Sequence, residues 1–440
     1  MSGWKETPFA KLLVDSKDGE WGAGEEAVGL RQAIIIRGTD FADLDNPAAE
    51  FPKRWIQDHL IGRKKLGPGD IILETAGGTS TQSTGRSALL KESFFQKHRD
   101  LPVLCASFSR HLRLDTENYS PRFTYYLLQT LHRYGYMAVF NIQHTGVSRF
   151  QYTAFKNHTE LRIPALPTQQ KIAAILSAYD ELIENNKRRI ALLEKLAEEI
   201  YREWFVRLRF PGYEKVKKVK GVPAGWTPTP SNKVFRVMSG GTPNTDNPVY
   251  WDGDIPFFTP KDADDNFYVL KTERAITQKG LDSCNSRLYQ KDTIFITARG
   301  TVGKICLAHR EMAMNQTCYA LSPSHEGDAY FYFLSMKNAI AYIKGVSKSG
   351  VFDNIIVDTF KIIPIFMPPG PLIERFNECA APIFKQIGTL LEQNEVLTKS
   401  RDMLLPRLIS GTLSVDNLDI QFPPSMAEEL KAEPTATVHA

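Results

Sequence analysis

The chain contains two diverged copies of one unit, and this repeat limits the folds that it can adopt. Matching residues lie 222 positions apart: Gly3-Trp4 and Gly225-Trp226, Asp40 and Asp262, Asp70 and Asp292, Ile72 and Ile294, and Thr75-Ala76 and Thr297-Ala298. A repeat of this kind has to be recognised before any motif inside it is interpreted. Two diverged copies in one chain indicate a protein that recognises two different targets at a fixed distance.

The later part of each copy repeats with a shorter offset. Lys195, for example, matches Lys399, which lies 204 positions further on, so the second copy is 18 residues shorter than the first. Cys105 and Cys318 give an intermediate offset of 213. We therefore expect the missing residues to be spread over more than one loop, because loops tolerate deletions better than regular elements do.

Each copy ends in a long seam of residues that are spaced alternately by four and by three. The first seam is Ile172, Leu176, Tyr179, Ile183, Asn186, Ile190, Leu193, Ala197, Ile200 and Trp204. The second seam is Phe376, Ala380, Ile383, Ile387, Leu390, Asn394, Leu397, Arg401, Leu404 and Leu408. This spacing predicts two coiled-coil helices, the first from Thr168, as its N-cap, to about Arg207. A helix of about 40 residues is about 60 Å long, more than packing in a small domain requires.

The seams also predict how the two helices pair. Each seam has one asparagine near its middle, and an antiparallel pair that places Asn186 opposite Asn394 matches nearly every apolar seam residue with an apolar partner. The predicted pairs are Ile190 with Leu390, Ile183 with Leu397, Leu193 with Ile387, Tyr179 with Arg401, Leu176 with Leu404, Ile172 with Leu408, and Trp204 with Phe376. A slip by one heptad would leave each asparagine opposite an aliphatic side chain, at a cost of about 1–3 kcal/mol for each unpaired amide.

Composition excludes several classes of protein. Five isolated cysteines, without a C-x-x-C motif or paired histidines, argue against a zinc site or a disulfide framework. No stretch approaches the roughly 18 apolar residues of a membrane span, and the N-terminus lacks the apolar segment of a signal peptide. We expect a soluble cytoplasmic protein with no membrane partner. The net charge of +4 is compatible with nucleic-acid binding without establishing it.

Three short motifs resemble catalytic or cofactor sites, but each departs from the chemistry that it would need. Asn247-Pro248-Val249-Tyr250 lacks the second proline of the motif that holds a flipped adenine, and no glycine-rich turn precedes it. The segment 300–304, GTVGK, lacks the first glycine and the Ser/Thr of a phosphate loop. The segment 22–27, GAGEEA, would present two carboxylates to a pyrophosphate. We therefore expect a protein without an active site of its own, any catalysis belonging to a partner.

Several long strings resemble the specificity subunit of type I restriction–modification enzymes. PTQQKIAAILSAYDELIENNKRRIALLEKLAEEIYREWF at 167–205 and LTKSRDMLLPRLISGTL at 397–413 resemble the two conserved regions of that family. SGGTPNTDNPVYWDGDIPFFTPKD at 239–262, ITARGTVGK at 296–304 and MNQTCYAL at 314–321 resemble its target recognition domains. The first copy departs from the pattern, since it lacks the GGTP element and carries AGGTSTQSTGR where the second has ARGTVGK.

The resemblance implies a mixed α+β fold with two α/β target recognition domains, separated by two long antiparallel coiled-coil helices and related by a pseudo-twofold repeat. The implied divisions are a first target recognition domain at 1–160, a central conserved helix at 161–210, a second target recognition domain at 211–366, a distal conserved helix at 367–412 and a disordered tail at 413–440.

The resemblance also implies partners. Each domain would read one half of a split, asymmetric site in double-stranded DNA, and the helices would dock two methyltransferase subunits. Those subunits would bind S-adenosylmethionine, so no cofactor is expected on this chain. Translocase and nuclease subunits would complete the restriction complex.

Polar loop residues of both domains are candidates for DNA contacts, because arginine can pair with guanine and asparagine or glutamine with adenine. The candidates are Arg37, Thr39, Thr79, Ser80, Gln82 and Arg86 in the first domain and Lys261, Arg299, Thr301 and Lys304 in the second. The alternative is that such loops are only tight turns. We favour that alternative for Asp40 and Asp262, which would bond their own backbone. Asn315 and Gln316 are open between reading adenine and forming a turn.

Two rival functions are a structural adaptor that binds only proteins and an orphan DNA-binding regulator without a methyltransferase. Apolar residues of the first helix that lie outside the seam favour a further protein partner, because a self-sufficient coiled coil needs only its seam buried. These residues are Ile175, Leu182, Leu192, Leu196 and Phe205.

Overall fold

The computed structural model describes residues 3–46, 49–78, 83–144, 147–219, 221–264, 266–323, 329–346 and 354–426. They form two compact units. Unit 1 is drawn from Met1–Glu184 and Val396–Ala440, and unit 2 from Asn185–Glu395. The predicted fold class is confirmed, since each unit combines mixed β-sheets with α-helices.

The strands of unit 1 are β1 (Lys5–Pro8), β2 (Leu13–Asp18), β3 (Leu30–Ile36), β4 (Lys53–Gln57), β5 (Ile71–Glu74), β6 (Ala76–Gly78), β7 (Ser87–Leu89), β8 (Val103–Cys105), β9 (Ser109–Leu114), β10 (Asn141–His144), β11 (Val147–Phe150) and β12 (Glu160–Ile163). They form sheets in the orders β2-β9-β5-β7, β4-β3-β8, β10-β11-β6 and β1-β12.

The strands of unit 2 are β13 (Lys218–Val219), β14 (Val222–Pro223), β15 (Thr227–Pro230), β16 (Phe235–Ser239), β17 (Trp251–Phe258), β18 (Tyr268–Val269), β19 (Arg274–Ile276), β20 (Ile294–Thr297), β21 (Ile305–Ala308), β22 (Ala313–Met314), β23 (Cys318–Pro323) and β24 (Pro364–Met367). The sheets β16-β23-β20-β21-β18, β19-β17-β22 and β15-β24 repeat the plan of unit 1, and β13-β14 is a separate hairpin.

The α-helices are α1 (Asp58–Lys64), α2 (Glu92–Lys97), α3 (Pro121–Arg133), α4 (Tyr152–His158), α5 (Leu166–Tyr201), α6 (Ser231–Val234), α7 (Gln278–Asp282), α8 (Ala329–Val346), α9 (Thr359–Ile362) and α10 (Gly370–Ile409). The long helices α5 and α10 are those predicted from the seams. A π-helical turn, Arg202–Val206, follows α5. Thr168 does not cap α5, which already begins at Leu166; its hydroxyl donates instead to Asp416 Oδ1, at 2.9 Å.

Strand pairing corrects one part of the predicted repeat. Ile36 pairs with Cys105 in unit 1, and Phe258, its equivalent at the offset of 222, pairs with Met314 in unit 2. Cys105 is therefore equivalent to Met314, an offset of 209, and its match with Cys318 was wrong. The error arose because a shared cysteine carries no information about register, whereas a strand pair does.

The predicted seam register is confirmed at its centre. Asn186 Nδ2 donates to Asn394 Oδ1 at 3.0 Å within unit 2, and Asn186 is only 2% exposed. Eighteen residues further along the chain, in the π-helical turn that continues α5, the ring of Trp204 lies edge to face with that of Phe376, with their centroids 5.6 Å apart. Contacts at both places require the α5 and α10 segments of this unit to be antiparallel.

The seam of unit 1 follows the same direction. Leu176 and Leu408 are both fully buried in one hydrophobic core. Arg401 was predicted to face Tyr179, and the structure pairs its charge with Asp180, the residue after Tyr179, since Arg401 Nη1 donates to Asp180 Oδ1 at 2.6 Å. The seam therefore accommodates one arginine through an ion pair that the heptad pattern did not reveal.

The beginning of the predicted disordered tail is packed against unit 1. Val415 is 1% exposed and Met426 is 3% exposed, and both belong to the same core as α3 and the first half of α5. Lys171 Nζ donates to the carbonyls of Asp416 and Leu418, each at 2.8 Å. The prediction of disorder was therefore wrong for residues 413–426, whose few apolar side chains find a site on the helices. Residues 427–440 lie outside the described residues.

None of the described helices is both long enough and apolar enough to cross a membrane.

Candidate nucleic-acid interface

Each unit has a short turn that follows a buried strand and is closed by an aspartate. After β3, the backbone N–H of Arg37 donates to Asp40 Oδ2 at 2.8 Å. After β17, the backbone N–H of Thr259 donates to Asp262 Oδ2 at 2.7 Å. The interpretation of Asp40 and Asp262 as turn residues is thus confirmed, and the residue at the start of the turn, arginine or threonine, is what differs between the units.

In unit 1, the side chain of Arg37 also binds this aspartate. Its Nε and Nη2 atoms lie 3.0 Å and 2.7 Å from Asp40 Oδ2 and Oδ1. This charge-assisted pair raises the pKa of the Arg37 guanidinium. The Thr39 hydroxyl contacts the same carboxylate at 3.4 Å. Arg37 remains half exposed, whereas Asp40 is buried.

A second arginine pair lies beside this turn. Arg86 Nε donates to Glu74 Oε2 at 2.9 Å, and Arg86 Nη2 donates to Glu74 Oε1 at 2.6 Å. The pair raises the pKa of the Arg86 guanidinium, since the hydrogen bonds to Glu74 favour its charged form. Glu74 is the last residue of β5, and its N–H donates to the Arg86 carbonyl. The structure therefore brings two predicted DNA contacts, Arg37 and Arg86, to one edge of unit 1.

The candidates of unit 2 also converge. The Thr301 hydroxyl donates to the carbonyl of Pro260 at 3.3 Å, which places the 299–304 loop beside Lys261. Lys261 is mostly exposed and lies 3.6 Å from Glu273. Arg299 is exposed, and no described residue forms an ion pair with it. Lys304 is partly buried, and its backbone N–H donates to Thr297 Oγ1.

The segment 300–304 is a hairpin turn and not a phosphate loop. It joins the antiparallel strands β20 and β21. The N–H of Gly303 donates to the Thr297 carbonyl at 2.8 Å, and Gly303 has φ +71°. A side chain at this position would be strained and would also meet the side chain of Lys344 at 2.9 Å.

Three further candidates, Thr79, Ser80 and Gln82, lie outside the described residues. For Asn315 the structure favours the turn interpretation, whereas Gln316 is exposed and bonds to a residue distant in sequence. Asn315 Oδ1 accepts hydrogen bonds from the N–H and the hydroxyl of Thr317, at 3.1 Å and 2.9 Å. Gln316 Oε1 accepts one from the Thr242 hydroxyl.

Sequence reasoning missed a groove on unit 1 that adjoins the end of β5. It has a volume of about 790 Å³, and its lining includes Phe108, Arg110, Arg149 and Tyr152. The guanidinium of Arg110 stacks 4.3 Å above the Tyr152 ring, and Phe108 is 64% exposed. Basic and aromatic side chains in one groove suit a nucleic-acid backbone and its bases. No sequence signal indicated this groove, because the segments that form it are distant from one another in the chain.

Among the described residues of unit 2, one carboxyl group has a strongly shifted pKa. Burial raises the pKa of Glu194 to about 7, although its carboxylate accepts a hydrogen bond from the Phe267 N–H at 2.6 Å, which favours the charged form. Glu194 lies on α5 beneath the loop before β18. It supports the fold of the unit and is not part of the edge that carries Lys261 and Arg299.

The predicted partner-binding residues fall into three groups. Leu182, Leu192 and Leu196 are 46%, 67% and 48% exposed, as an external partner would require. Ile175 is partly buried against the core of unit 1. Phe205 is only 8% exposed and packs on Trp226 and Phe376, so its prediction as free apolar surface was wrong. The π-helical turn after α5 directs Phe205 inward, which heptad spacing could not indicate.

Comparisons with known proteins agree on one family. The sequence model of a family described as "Type I restriction modification DNA specificity domain" matches residues 62–195 and 223–394. The MjaIX type I restriction enzyme specificity subunit of Methanocaldococcus jannaschii is 27% identical over 267 residues, which cover 59% of this chain and 62% of that protein. The HindI specificity subunit of Haemophilus influenzae is 23% identical over 315 residues, covering 58% of this chain and 69% of that protein.

A solved structure has a similar fold. The crystal structure of a type I restriction–modification system S subunit from M. genitalium has a TM-score of 0.55 and 17% identity to this chain. The match covers 92% of this chain and 96% of that one. At this identity the likeness concerns the fold alone.

Proposed function

Because the chain belongs to the family of type I restriction–modification DNA specificity proteins, we propose that it recognises a specific double-stranded DNA sequence on behalf of a type I restriction–modification complex. Each unit would read one half of a split site. Contacts to phosphates would supply affinity and register, and contacts to base edges would supply the sequence preference.

The observation that carries this proposal is that the two units share one framework and differ at its exposed edge. The same strand-and-turn arrangement begins with Arg37 in unit 1 and with Thr259 in unit 2. Different side chains at equivalent positions imply different base preferences, and therefore an asymmetric site. The proposed contacts that lie within the described residues are Arg37, Thr39, Arg86, Lys261, Arg299, Thr301 and Lys304.

The exposed leucines of α5 support a role in assembly. Leu192 and Leu196 are four residues apart and therefore lie on one face of the helix. We assign this face of unit 2 and, separately, the exposed Leu182 of unit 1 to the docking of two methyltransferase subunits, which would bind S-adenosylmethionine and methylate adenine. Translocase and nuclease subunits would join the same complex, and this chain would itself catalyse no step.

The proposal is tested by mapping methylated adenines across the genome in cells that carry the gene and in cells from which the gene is deleted. We expect one methylated motif to vanish with the gene, and that motif to consist of two different half-sites separated by roughly one helical turn of DNA or less. A continuous or palindromic motif would contradict the proposal.

The rival functions give other results. An orphan regulator would bind a specific duplex, yet its deletion would leave every methylated motif in place. A protein adaptor would show no preference among duplexes in a binding selection. The difference in edge residues between the two units favours DNA recognition over a protein adaptor, and membership of the specificity-subunit family favours a restriction–modification role over an orphan regulator.

A further inference from the structure

Two arginines of unit 1 are held by carboxylates in the same manner. Arg86 binds Glu74 through Nε and Nη2, at 2.9 Å and 2.6 Å. Arg37 binds Asp40 through the same two atoms, at 3.0 Å and 2.7 Å. In both pairs the carboxylate meets the side of the guanidinium group that carries Nε.

This geometry leaves part of each guanidinium group available. The group has five N–H donors, and a side-on pair occupies one on Nε and one on Nη2. The remaining N–H donors, on Nη1 and Nη2, point away from the side chain and form the end of the guanidinium group, which we call the end of the arginine fork. The carboxylate side chains are 5% and 9% exposed in Glu74 and Asp40, whereas the arginine side chains are 30% and 45% exposed in Arg86 and Arg37. Each arginine is therefore held by a buried carboxylate, while part of its guanidinium group remains accessible to solvent.

The two pairs are neighbours. A Cβ atom placed on Gly38, the residue that follows Arg37, would lie 2.6 Å from Glu74 Oε1 and 3.3 Å from Arg86 Nη2. The turn can approach the Glu74–Arg86 pair this closely only because residue 38 is glycine. The two forks thus lie at one edge of unit 1, beside Phe41, whose ring is 5.9 Å from the Arg86 guanidinium carbon.

Unit 2 has neither pair, although it has the same framework. The residue equivalent to Arg37 is Thr259. Glu74 is the cross-strand neighbour of Arg86, and the equivalent neighbours in unit 2 are Ile296 and Ile305, which pair between β20 and β21. Both isoleucines are buried. The fold therefore does not need an ion pair at this position, and the carboxylate-held arginines distinguish the first unit from the second.

We propose that Arg37 and Arg86 read guanines in the half-site recognised by unit 1, and that Asp40 and Glu74 are positioning residues that aim them. The inference rests on the proposed function. The end of an arginine fork matches the O6 and N7 acceptors of guanine in the major groove. An arginine neutralised by a carboxylate is poorly suited to phosphate, since the anion repels the backbone. The two pairs would therefore contribute base discrimination more than affinity.

A binding selection with the purified full-length chain and a random duplex DNA library tests this inference. For the wild type we expect a two-part site with guanine in one half. The Arg86→Lys and Arg37→Lys variants should each lower the preference for guanine at one position of that half by about tenfold. Glu74→Gln should weaken the same position as Arg86→Lys, because the amide no longer holds the fork through two charged hydrogen bonds. The other half-site should be unchanged in every variant.

Arg113→Lys is the matched control. Arg113 binds the buried Asp70 through Nε and Nη2, at 2.9 Å and 2.6 Å, at the opposite end of β5. The control has the same ion-pair chemistry in the same unit, and it should leave all base preferences as in the wild type. If Arg86→Lys unfolds, the double variant Glu74→Ile with Arg86→Ile, which copies the isoleucine pair of unit 2, replaces it. This variant should lose the same guanine preference.

The outcomes separate the inference from the function on which it rests. If the wild-type chain selects no sequence at all, the proposed function fails. If the wild type selects a two-part site, but that site lacks guanine or the arginine variants select it unchanged, the function stands and the inference is overturned. A loss of preference in both half-sites would also overturn it.

Discussion

Asn186 and Asn394 join the two long helices of unit 2 through a single amide hydrogen bond, 3.0 Å from Nδ2 to Oδ1. Each is the one asparagine in its seam. A buried polar pair of this kind sets register because any slip leaves both amides without partners. The bond therefore explains how two long apolar seams adopt one alignment among several that differ by a heptad.

Substitution of one partner should cost more than substitution of both. Asn186→Leu leaves the amide of Asn394 without its partner, and we expect a loss of about 1–3 kcal/mol in the free energy of unfolding. Asn186→Leu with Asn394→Leu should recover most of this loss, because both positions become apolar. Denaturant unfolding of the wild type, the two single variants and the double variant measures the coupling. Additive effects would show that the pair does not interact.

In the Glu74–Arg86 pair, too, substitution of one partner should cost more stability than substitution of both, here because of charge. Arg86→Ile leaves a buried carboxylate without its cation, and removal of one partner of such a pair costs about 3–5 kcal/mol. Glu74→Ile with Arg86→Ile should be much closer to the wild type in stability, since unit 2 holds Ile296 and Ile305 at the equivalent positions. Thermal unfolding distinguishes the two variants, and equal losses in both would contradict this account.

Glu194 should make the stability of unit 2 depend on pH. Burial raises the pKa of Glu194 to about 7 from its ordinary value of 4.5, so the folded state retains a proton that the unfolded state releases between these values. The contribution to stability is therefore greatest below pH 4.5, falls as the pH rises through this window, and is lost above pH 7.

Glu194→Gln removes this titration while keeping an acceptor for the Phe267 N–H. We expect the variant to exceed the wild type in stability at pH 8, by up to about 3 kcal/mol, and to match it near pH 4. Unfolding free energies measured from pH 4 to pH 8 provide the test. Glu117→Gln, an exposed position, is the control, and a wild-type excess at pH 8 would refute the assignment.

The exposed leucines of α5 should matter for assembly and not for DNA recognition. We expect Leu192→Glu with Leu196→Glu to reduce the binding of methyltransferase subunits at least tenfold, because charges on this face oppose burial in an apolar contact. DNA selection by the isolated chain should be unaffected. Co-purification and titration with the methyltransferase measure the effect. Val249→Glu, which alters an exposed apolar residue of unit 2 that is not part of α5, is the control, and an equal effect there would argue against a specific docking face.

Exchange of residues 1–160 for the corresponding part of another family member should change one half-site and leave the other. The physical reason is that each unit has its own core and its own edge residues. Mapping of methylated adenines in cells that carry the chimaera reports both halves at once. A change in both halves would show that the units do not read DNA independently.

Much of this architecture could be predicted because it depends on periodic patterns. The seam residues recur at helical spacing, and the two asparagines restrict the register, so the pairing of Asn186 with Asn394 followed from the sequence alone. The turn role of Asp40 and Asp262 followed from residue chemistry, since an aspartate side chain readily bonds to its own backbone in a turn. The helical spacing and the aspartate turns are local, and physical chemistry specifies them over a few residues, whereas the asparagine pair required two such patterns to be matched.

Only the tertiary structure decided which side chains meet across strands and which surfaces are free. Arg86 finds Glu74 because a hairpin aligns β5 with β7, and a turn after a third strand, β3, brings Arg37 beside them. The equivalence of Cys105 and Met314, the burial of Phe205, and the packing of Val415 on the helices likewise depend on register or on contacts between distant segments. Residue spacing determined the helices and the repeat, whereas the burial of charge and the shape of the edge required the folded chain, because both depend on residues that are remote in sequence.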